Sequence, residues 1–272
     1  MTAGTGSVRR WRRLASAAWS APSDPQFYGD LEVDASALLA YQQQAKEVGT
    51  PVTVTALVGR AVAHGLSEVP ELHNPSRIRS GEPTSDVFFI VATEGALSGL
   101  KLSDVAGKSA VEVSEELAEE ARRVRQGDGP LDRATRTLAA LPLPLRRLVL
   151  RAGSWMASDL GIDLPALGVA RRPFGDAMIS SVGMWGVRNA YSPLAAYYRV
   201  PLLVLVGGIA PTPVAVDGEV VVRPVLRLTA TFDHRYVDGW HAARFAACVA
   251  DYVGDPGRLE PAAVRAAANV AR

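Results

Sequence analysis

Cysteine is almost absent from this chain, with Cys248 alone among 272 residues. That excludes an internal disulfide and fits a reducing cytoplasm, and the place of Cys248 on an apolar helical stripe reads as a small buried side chain. Charge of one sign is missing too: 29 Lys and Arg stand against 28 Asp and Glu, a formal net charge of +1. The whole-molecule field therefore gives no reason to expect a nucleic acid as partner. No apolar run is suited to a bilayer. The longest uncharged stretch, Val200 to Val216, is broken by Gly207-Gly208 and three prolines, so it reads as a buried strand and loop, not a transmembrane segment. Arg9-Arg10-Trp11-Arg12-Arg13 is followed by a short, weakly apolar stretch ending at Pro22 and Asp24, which argues against export. His64 and His73 read as surface or core histidines, and no metal site is expected. No internal repeat is visible.

What is present suffices for a large folded unit. With 48% hydrophobic and 21% charged residues, the chain can bury a substantial core as one large domain or two closely joined ones. Leu31-Glu32-Val33-Asp34 reads as a short strand leading into a helix capped by Asp34 and stopped at Gly49. Thr53 or Thr55 caps the next helix, which ends before Pro70. Val87 to Ala92 is an apolar run of strand length, buried on both faces. Ser109 to Glu112 forms a capping box, and Val113, Leu117, Ala121 and Val124 continue as an apolar stripe to Gly127, with Glu119 and Arg123 spaced for an ion pair on the solvated face. Leu145 to Leu160 mixes Arg146, Arg147 and Arg151 with leucines and Trp155; a packed helix with solvated arginines is favoured over a membrane-surface helix. Asp217-Gly218 between two β-branched runs predicts a tight hairpin with a primed turn.

The densest chemistry lies at Phe232-Asp233-His234-Arg235-Tyr236-Val237-Asp238-Gly239. Before it, Leu226, Leu228, Ala230 and Phe232 alternate with Arg227, Thr229 and Thr231 as in a half-buried strand. After it, Phe245, Cys248, Val249 and Tyr252 recur at helical spacing, with Gly254 as a left-handed cap and Pro256 as the stop. His234 thus falls on a strand-to-helix connection, where a rigid scaffold presents reactive groups. Upstream, Ile179-Ser180-Ser181-Val182-Gly183 supplies a hydroxyl that can donate to a developing oxyanion, and a neutral imidazole can act as general base. Asp238 could orient the histidine, and Gly239 permits a turn or close helix approach. His241, without a partner, reads as a helix-start residue.

Together, Asp-His-Arg-x-x-Asp-Gly at 233–239 and Ile-Ser-Ser-Val-Gly at 179–183 resemble the two signatures of the dihydrolipoamide acyltransferase catalytic domain, a relative of chloramphenicol acetyltransferase. The resemblance implies an α/β fold with a mixed central sheet flanked by helices. It implies acyl transfer from a coenzyme A thioester, a cosubstrate and not a bound cofactor, to a thiol, hydroxyl or amine acceptor, with His234 as general base and Ser180 as oxyanion donor. It makes Asp238 the partner of an N-terminal arginine, Arg12 or Arg13, in holding the loop, with Asp233, Arg235 and Gly239 as structural companions. A solvated basic arm is the alternative for Arg9 to Arg13. The resemblance further implies a homotrimer in which His234 of one chain approaches Ser180 of the next.

The expected organisation is a disordered N-terminus at 1–8, the catalytic domain at 9–256 with an atypical insertion at 138–173, and a C-terminal tail or helix at 257–272. No lipoyl-type module or subunit-binding domain precedes the catalytic part, so a stand-alone form is expected. Two other readings stay open: a non-catalytic trimeric scaffold of the same fold, and a condensation-domain-like enzyme using carrier-bound acyl groups. The latter usually carries a doubled histidine, where this chain has Asp233 before His234.

Overall fold

A computed structural model describes residues 25–82, 84–93, 96–126, 142–165, 169–195 and 197–260, with Thr93, Ala96 and Leu97 described by backbone only. The expectations for residues 1–8, for Arg9 to Arg13 and for a stop at Gly127 lie outside the described residues.

One mixed sheet organises the molecule. Its strands are β1 (Gln26–Asp34), β2 (Val87–Thr93), β3 (Ala96–Leu102), β4 (Ala177–Ser181), β5 (Leu202–Val206), β6 (Ala210–Val216) and β7 (Glu219–Asp233). They run in the order β1-β7-β5-β4-β2-β3, with β6 paired to β7. The pairs β2–β4 and β4–β5 are parallel and the others antiparallel. The hairpin forms as its residues require: Val216 pairs with Glu219, and Asp217 and Gly218 take φ of 52° and 86°, the doubly positive pair of a type I′ turn.

The main core lies on one face of the sheet, under α1 (Ser36–Glu47), α2 (Val54–Glu68), α4 (Ala110–Arg125) and α6 (Gly239–Gly254). A short α3 (Pro75–Ser80) and α5 (Leu143–Ser154) lie between β1 and β4 in the chain, and α7 (Pro256–Leu259) follows α6. Alternate residues of the strands enter this core, Phe89, Ile179, Val204 and Phe232 among them, each worth about 1.5–3 kcal/mol when fully buried. Phe88, Met178, Leu203 and Leu205 point the other way into a second cluster with Phe174 and Val200. Thus β4 and β5 are covered on both faces, which explains why Leu202–Val206 shows no polar alternation.

Thr53 caps α2 by accepting from the Ala56 amide, and Ser109 and Glu112 form the expected capping box of α4. Several local expectations are corrected. The N-cap of α1 is Ala35, while Asp34 accepts from the Ser36 amide one step earlier. On α4 the ion pairs run Glu119–Arg122 and Glu120–Arg123, the i,i+3 alternative on the same helical surface. Gly254 ends α6 without a left-handed cap, because Asp255 turns extended at φ −153° ahead of Pro256. Thr229 and Thr231 are buried, since their hydroxyls donate to the Ala190 and Ser192 carbonyls of a covering loop. Cys248 is only partly buried, and desolvation still raises its thiol pKa. Of the packed helix expected at 145–160, α5 buries none of its residues and exposes Leu145 and Leu148, whereas the continuing turns Trp155–Asp159 bury Ala157 and Ser158, so only the C-terminal part is packed.

Past 256 the chain stays packed to Glu260. Its carboxylate accepts from Arg60 Nε at 2.9 Å, the Tyr252 hydroxyl at 2.6 Å and the Ala110 amide at 2.6 Å. These three contacts tie the C-terminal end of the described chain to α2, α4 and α6.

Candidate active site

The histidine loop is held by its neighbours, leaving the imidazole exposed. At the end of β7 the Asp233 amide donates to the Pro201 carbonyl at 2.9 Å, and the His234 amide donates to the Pro25 carbonyl at 2.7 Å. Asp233 is buried, and both its oxygens lie on Arg235, at 2.9 Å and 3.2 Å from Nε. These hydrogen bonds raise the Arg235 pKa and keep the guanidinium charged against its partial desolvation. The turn closes with the Val237 amide donating to the Asp233 carbonyl at 3.1 Å, and buried Val237 anchors it in the core. The His234 ring rests against Phe27, centroids 4.9 Å apart, and Phe27 stacks on Phe232 at 4.9 Å. Neither imidazole nitrogen has a hydrogen-bond partner among the described residues.

Asp238 is the N-cap of α6. It accepts from the Trp240 and His241 amides, and the capping box closes with the Asp238 amide donating to His241 Nδ1 at 3.3 Å; the same Nδ1 lies 2.8 Å from Asp238 Oδ1. His241 therefore does have a partner, contrary to the sequence reading. Donation from the His241 amide, reinforced by the His241 ring and the Trp240 amide, holds the Asp238 carboxyl below the usual range. Arg12 and Arg13, its expected partners, lie outside the described residues. A Cβ at Gly239 would meet no atom of the described residues within 4 Å, so no close approach among them explains this glycine.

Ser180 lies near the end of β4, paired with Ile90 and Leu205. Its hydroxyl has no hydrogen-bond partner among the described residues; the residue borders a groove of about 700 Å³ between α4, β2 and β4, but its side chain shares the sheet face of Ile90 and Leu205, opposite the face on which Ile179 enters the main core. The glycine of this signature has a steric reason: a Cβ on Gly183 would stand 2.6 Å from the Gly207 carbonyl oxygen. That close approach lets the chain leave β4 through a 3-10 turn, Gly183–Trp185, whose Met184 and Trp185 are exposed at the groove edge.

The register separates the two signatures. Ser180 aligns with Leu205 and Leu205 with Thr229, whereas His234 follows the end of β7. Five residues along a strand cover roughly 16 Å and two strand spacings about 10 Å. Histidine and serine thus sit at opposite ends of the central strands, and one chain does not bring them together.

A buried ion cluster fixes the start of β4. Arg77 and Asp176 are 2% and 0% exposed. Asp176 accepts from Arg77 Nε at 2.9 Å, the Asn74 amide at 3.0 Å and the Asp86 amide at 2.9 Å, while Arg77 also reaches Asp86 at 2.7 Å. Burial works against the Arg77 charge, but Asp176 and Asp86 outweigh it and its pKa is raised. The sequence reading missed this cluster, together with Phe27, Arg122 and Arg125 beside the candidate residues. No motif marks them, because strand pairing and helix packing alone bring them into place.

The fold defines the class: an α/β protein with one mixed sheet flanked by helices, in which the two sequence segments that resemble acyltransferase signatures lie on β4 and just after β7. Residues 175–260 match the family model of the 2-oxoacid dehydrogenases acyltransferase (catalytic domain), in agreement with the resemblance that both signatures carry. The dihydrolipoyllysine-residue acetyltransferase component of the pyruvate dehydrogenase complex of Staphylococcus aureus is 24% identical over 216 residues, covering 76% of this chain and 41% of the relative. The chain thus spans less than half the length of such relatives. A probable dihydrolipoamide acetyltransferase from Listeria monocytogenes superposes with TM-score 0.61 at 19% identity, covering 93% of this chain and 92% of the other. A dihydrolipoamide acetyltransferase of Azotobacter vinelandii does so with TM-score 0.63 at 22% identity, covering 93% and 88%. These likenesses establish the shared fold.

Proposed function

We propose that this protein is an acyltransferase that moves an acyl group from a coenzyme A thioester to a thiol, hydroxyl or amine acceptor, acting in the cytoplasm as a homotrimer. The observation that carries the reading is the exposed His234 imidazole, free at both nitrogens among the described residues, on a loop pinned by the Asp233–Arg235 pair and the Asp238 cap. Such a group is preorganised to take a proton from an acceptor. The acceptor heteroatom attacks the thioester carbonyl as its proton passes to His234. The tetrahedral oxyanion is held by the Ser180 hydroxyl. Collapse expels the coenzyme A thiolate, which takes the proton back from His234. No acyl-serine forms in this reaction.

Asp238 acts as a positioning residue by starting α6 directly after the loop. In the Azotobacter vinelandii enzyme a serine, a histidine and an asparagine four residues after that histidine were studied for roles in catalysis. This chain has an aspartate at the fourth residue after His234. The separation of His234 and Ser180 at opposite ends of the central strands supports assembly of each site from two chains. Ser180→Ala is the direct test of the serine's role. Turnover is expected to fall about 10²–10³-fold with acyl-CoA affinity nearly unchanged, since a donor aimed at the oxyanion acts in the transition state. Unaltered turnover, measured by thiol release from acetyl-CoA with a panel of acceptors, would exclude that role.

A further inference from the structure

Helix α5 presents apolar residues to solvent. Leu145, Leu148 and Ala152 are exposed and stand three and then four residues apart, and exposed Trp155 continues the stripe in the next turn, the spacing of a single helical face. Arg147 and Arg151, also exposed and about one turn apart, border that stripe, and neither has an ion pair among the described residues. The charge is one-sided in the sequence itself: between Asp132 and Asp159 stand five arginines and no acid, in a chain of net charge +1. The C-terminal end of the helix is tied down. The Ser154 hydroxyl donates to the Tyr197 carbonyl, the Arg172 amide donates to the Ala157 carbonyl at 2.8 Å, and Asp159 pairs with Arg199. Tyr197 and Arg199 lead to Pro201, whose carbonyl accepts from the Asp233 amide, so α5 attaches at the end of the sheet that carries His234.

We propose that α5 is a membrane-surface helix that docks on a bilayer containing anionic phospholipid. Its leucine stripe enters the boundary of the acyl chains while the arginines reach the headgroup phosphates, which accounts for both features at once. A purely apolar partner would leave the guanidiniums unmatched, and a purely acidic one would leave Leu145, Leu148 and Trp155 in water. A fluid surface also needs no matching shape to cover a helix that buries none of its residues. At 12 residues α5 is about 18 Å long, too short to span a bilayer core and long enough to lie along it. Trp155 at the end of the stripe suits the same boundary, which accommodates both the apolar body and the N–H of an indole. The acids nearest the anchored end do not cancel the arginines, since Asp159 is engaged by Arg199, and Glu82 by Arg77 and Arg172.

Cosedimentation with vesicles of phosphatidylcholine alone, and of phosphatidylcholine mixed equally with phosphatidylglycerol, tests the proposal. No arm requires turnover, so it stands or falls apart from the acyltransferase reading. The wild-type protein is expected to bind the mixed vesicles about tenfold or more tightly than the neutral ones, because each arginine near an anionic surface contributes roughly fivefold, and to release as salt is raised. Arg147→Gln/Arg151→Gln should weaken binding to the mixed vesicles at least about tenfold, and Leu145→Gln/Leu148→Gln should weaken it by a similar factor of about ten through the lost apolar burial. All four side chains are exposed, so the thermal midpoints of both variants should stay with the wild type. No binding to the mixed vesicles, equal binding to both kinds, or an affinity unchanged in either variant would overturn the proposal. Sedimentation velocity without lipid distinguishes the rival cover: the leucine variant is expected to keep the wild-type assembly size, and a smaller assembly would show that a second copy covers α5 and would overturn the lipid reading.

Discussion

His234→Ala is expected to lower acyl transfer from acetyl-CoA by about 10²–10⁴-fold, the range for removal of a positioned general base. The loss should appear in turnover, with acyl-CoA affinity little changed, because the imidazole moves a proton and does not bind the cosubstrate in the ground state. Stability should hold as well. The ring is exposed, contacts Phe27 at 4.9 Å, and has no hydrogen bond among the described residues, so its removal strands no buried partner. Thiol release and thermal unfolding of the same preparation check both halves. An unchanged rate would remove His234 from the mechanism and leave the non-catalytic scaffold as the better account. A collapsed midpoint would mean that the histidine holds the loop together.

The largest stability loss is expected at Asp176→Ala. Truncation leaves the Arg77 guanidinium, 2% exposed, without its fully buried carboxylate partner, and leaves the Asn74 and Asp86 amides without their acceptor. Breaking a buried pair from one side typically costs about 3–5 kcal/mol. Asp86 continues to face Arg77 at 2.7 Å, which favours the lower half of that range. Glu119→Ala serves as the contrast: Glu119 and its partner Arg122 are 57% and 61% exposed, and an ion pair of that kind is worth about 1 kcal/mol or less. Urea unfolding of both variants decides the point, and equal losses would show that burial is not what makes the Asp176 cluster costly to break. Because Asp176 directly precedes β4, the same variant should also disturb the register that positions Ser180.

Features governed by neighbours in sequence were legible before any coordinates. The Asp217-Gly218 turn, the Thr53 cap and the Ser109 capping box depend on short-range hydrogen bonds, and each forms as its residues dictate. The strand–loop–helix around His234 was legible for the same reason, since alternation in β7 and helical spacing in α6 bracket it. Legibility failed where distant segments decide. Thr229 and Thr231 alternate like solvent-facing residues but are covered by the loop at Ala190 and Ser192. Asp176 and Arg77 lie 99 residues apart and Arg60 and Glu260 lie 200 apart, and no periodicity links them. The partner of His241 was only three residues away and still missed, because Asp238 had been assigned to an arginine. The separation of Ser180 from His234 needed the strand register, which composition and motif order do not contain.

The central claim is that each active site takes His234 from one chain and Ser180 from another. It is tested most directly by mixing His234→Ala and Ser180→Ala protomers, exchanging subunits under mild denaturant, and assaying acyl transfer. If sites form between chains, random reassembly in equal amounts joins an intact His234 to an intact Ser180 in about a quarter of them. Activity should then rise from the level of the two inactive parents to about a quarter of the wild-type rate. No recovery, with subunit exchange verified by mass spectrometry of differently tagged chains, would contradict a shared site and place both residues' roles, if any, within a single chain.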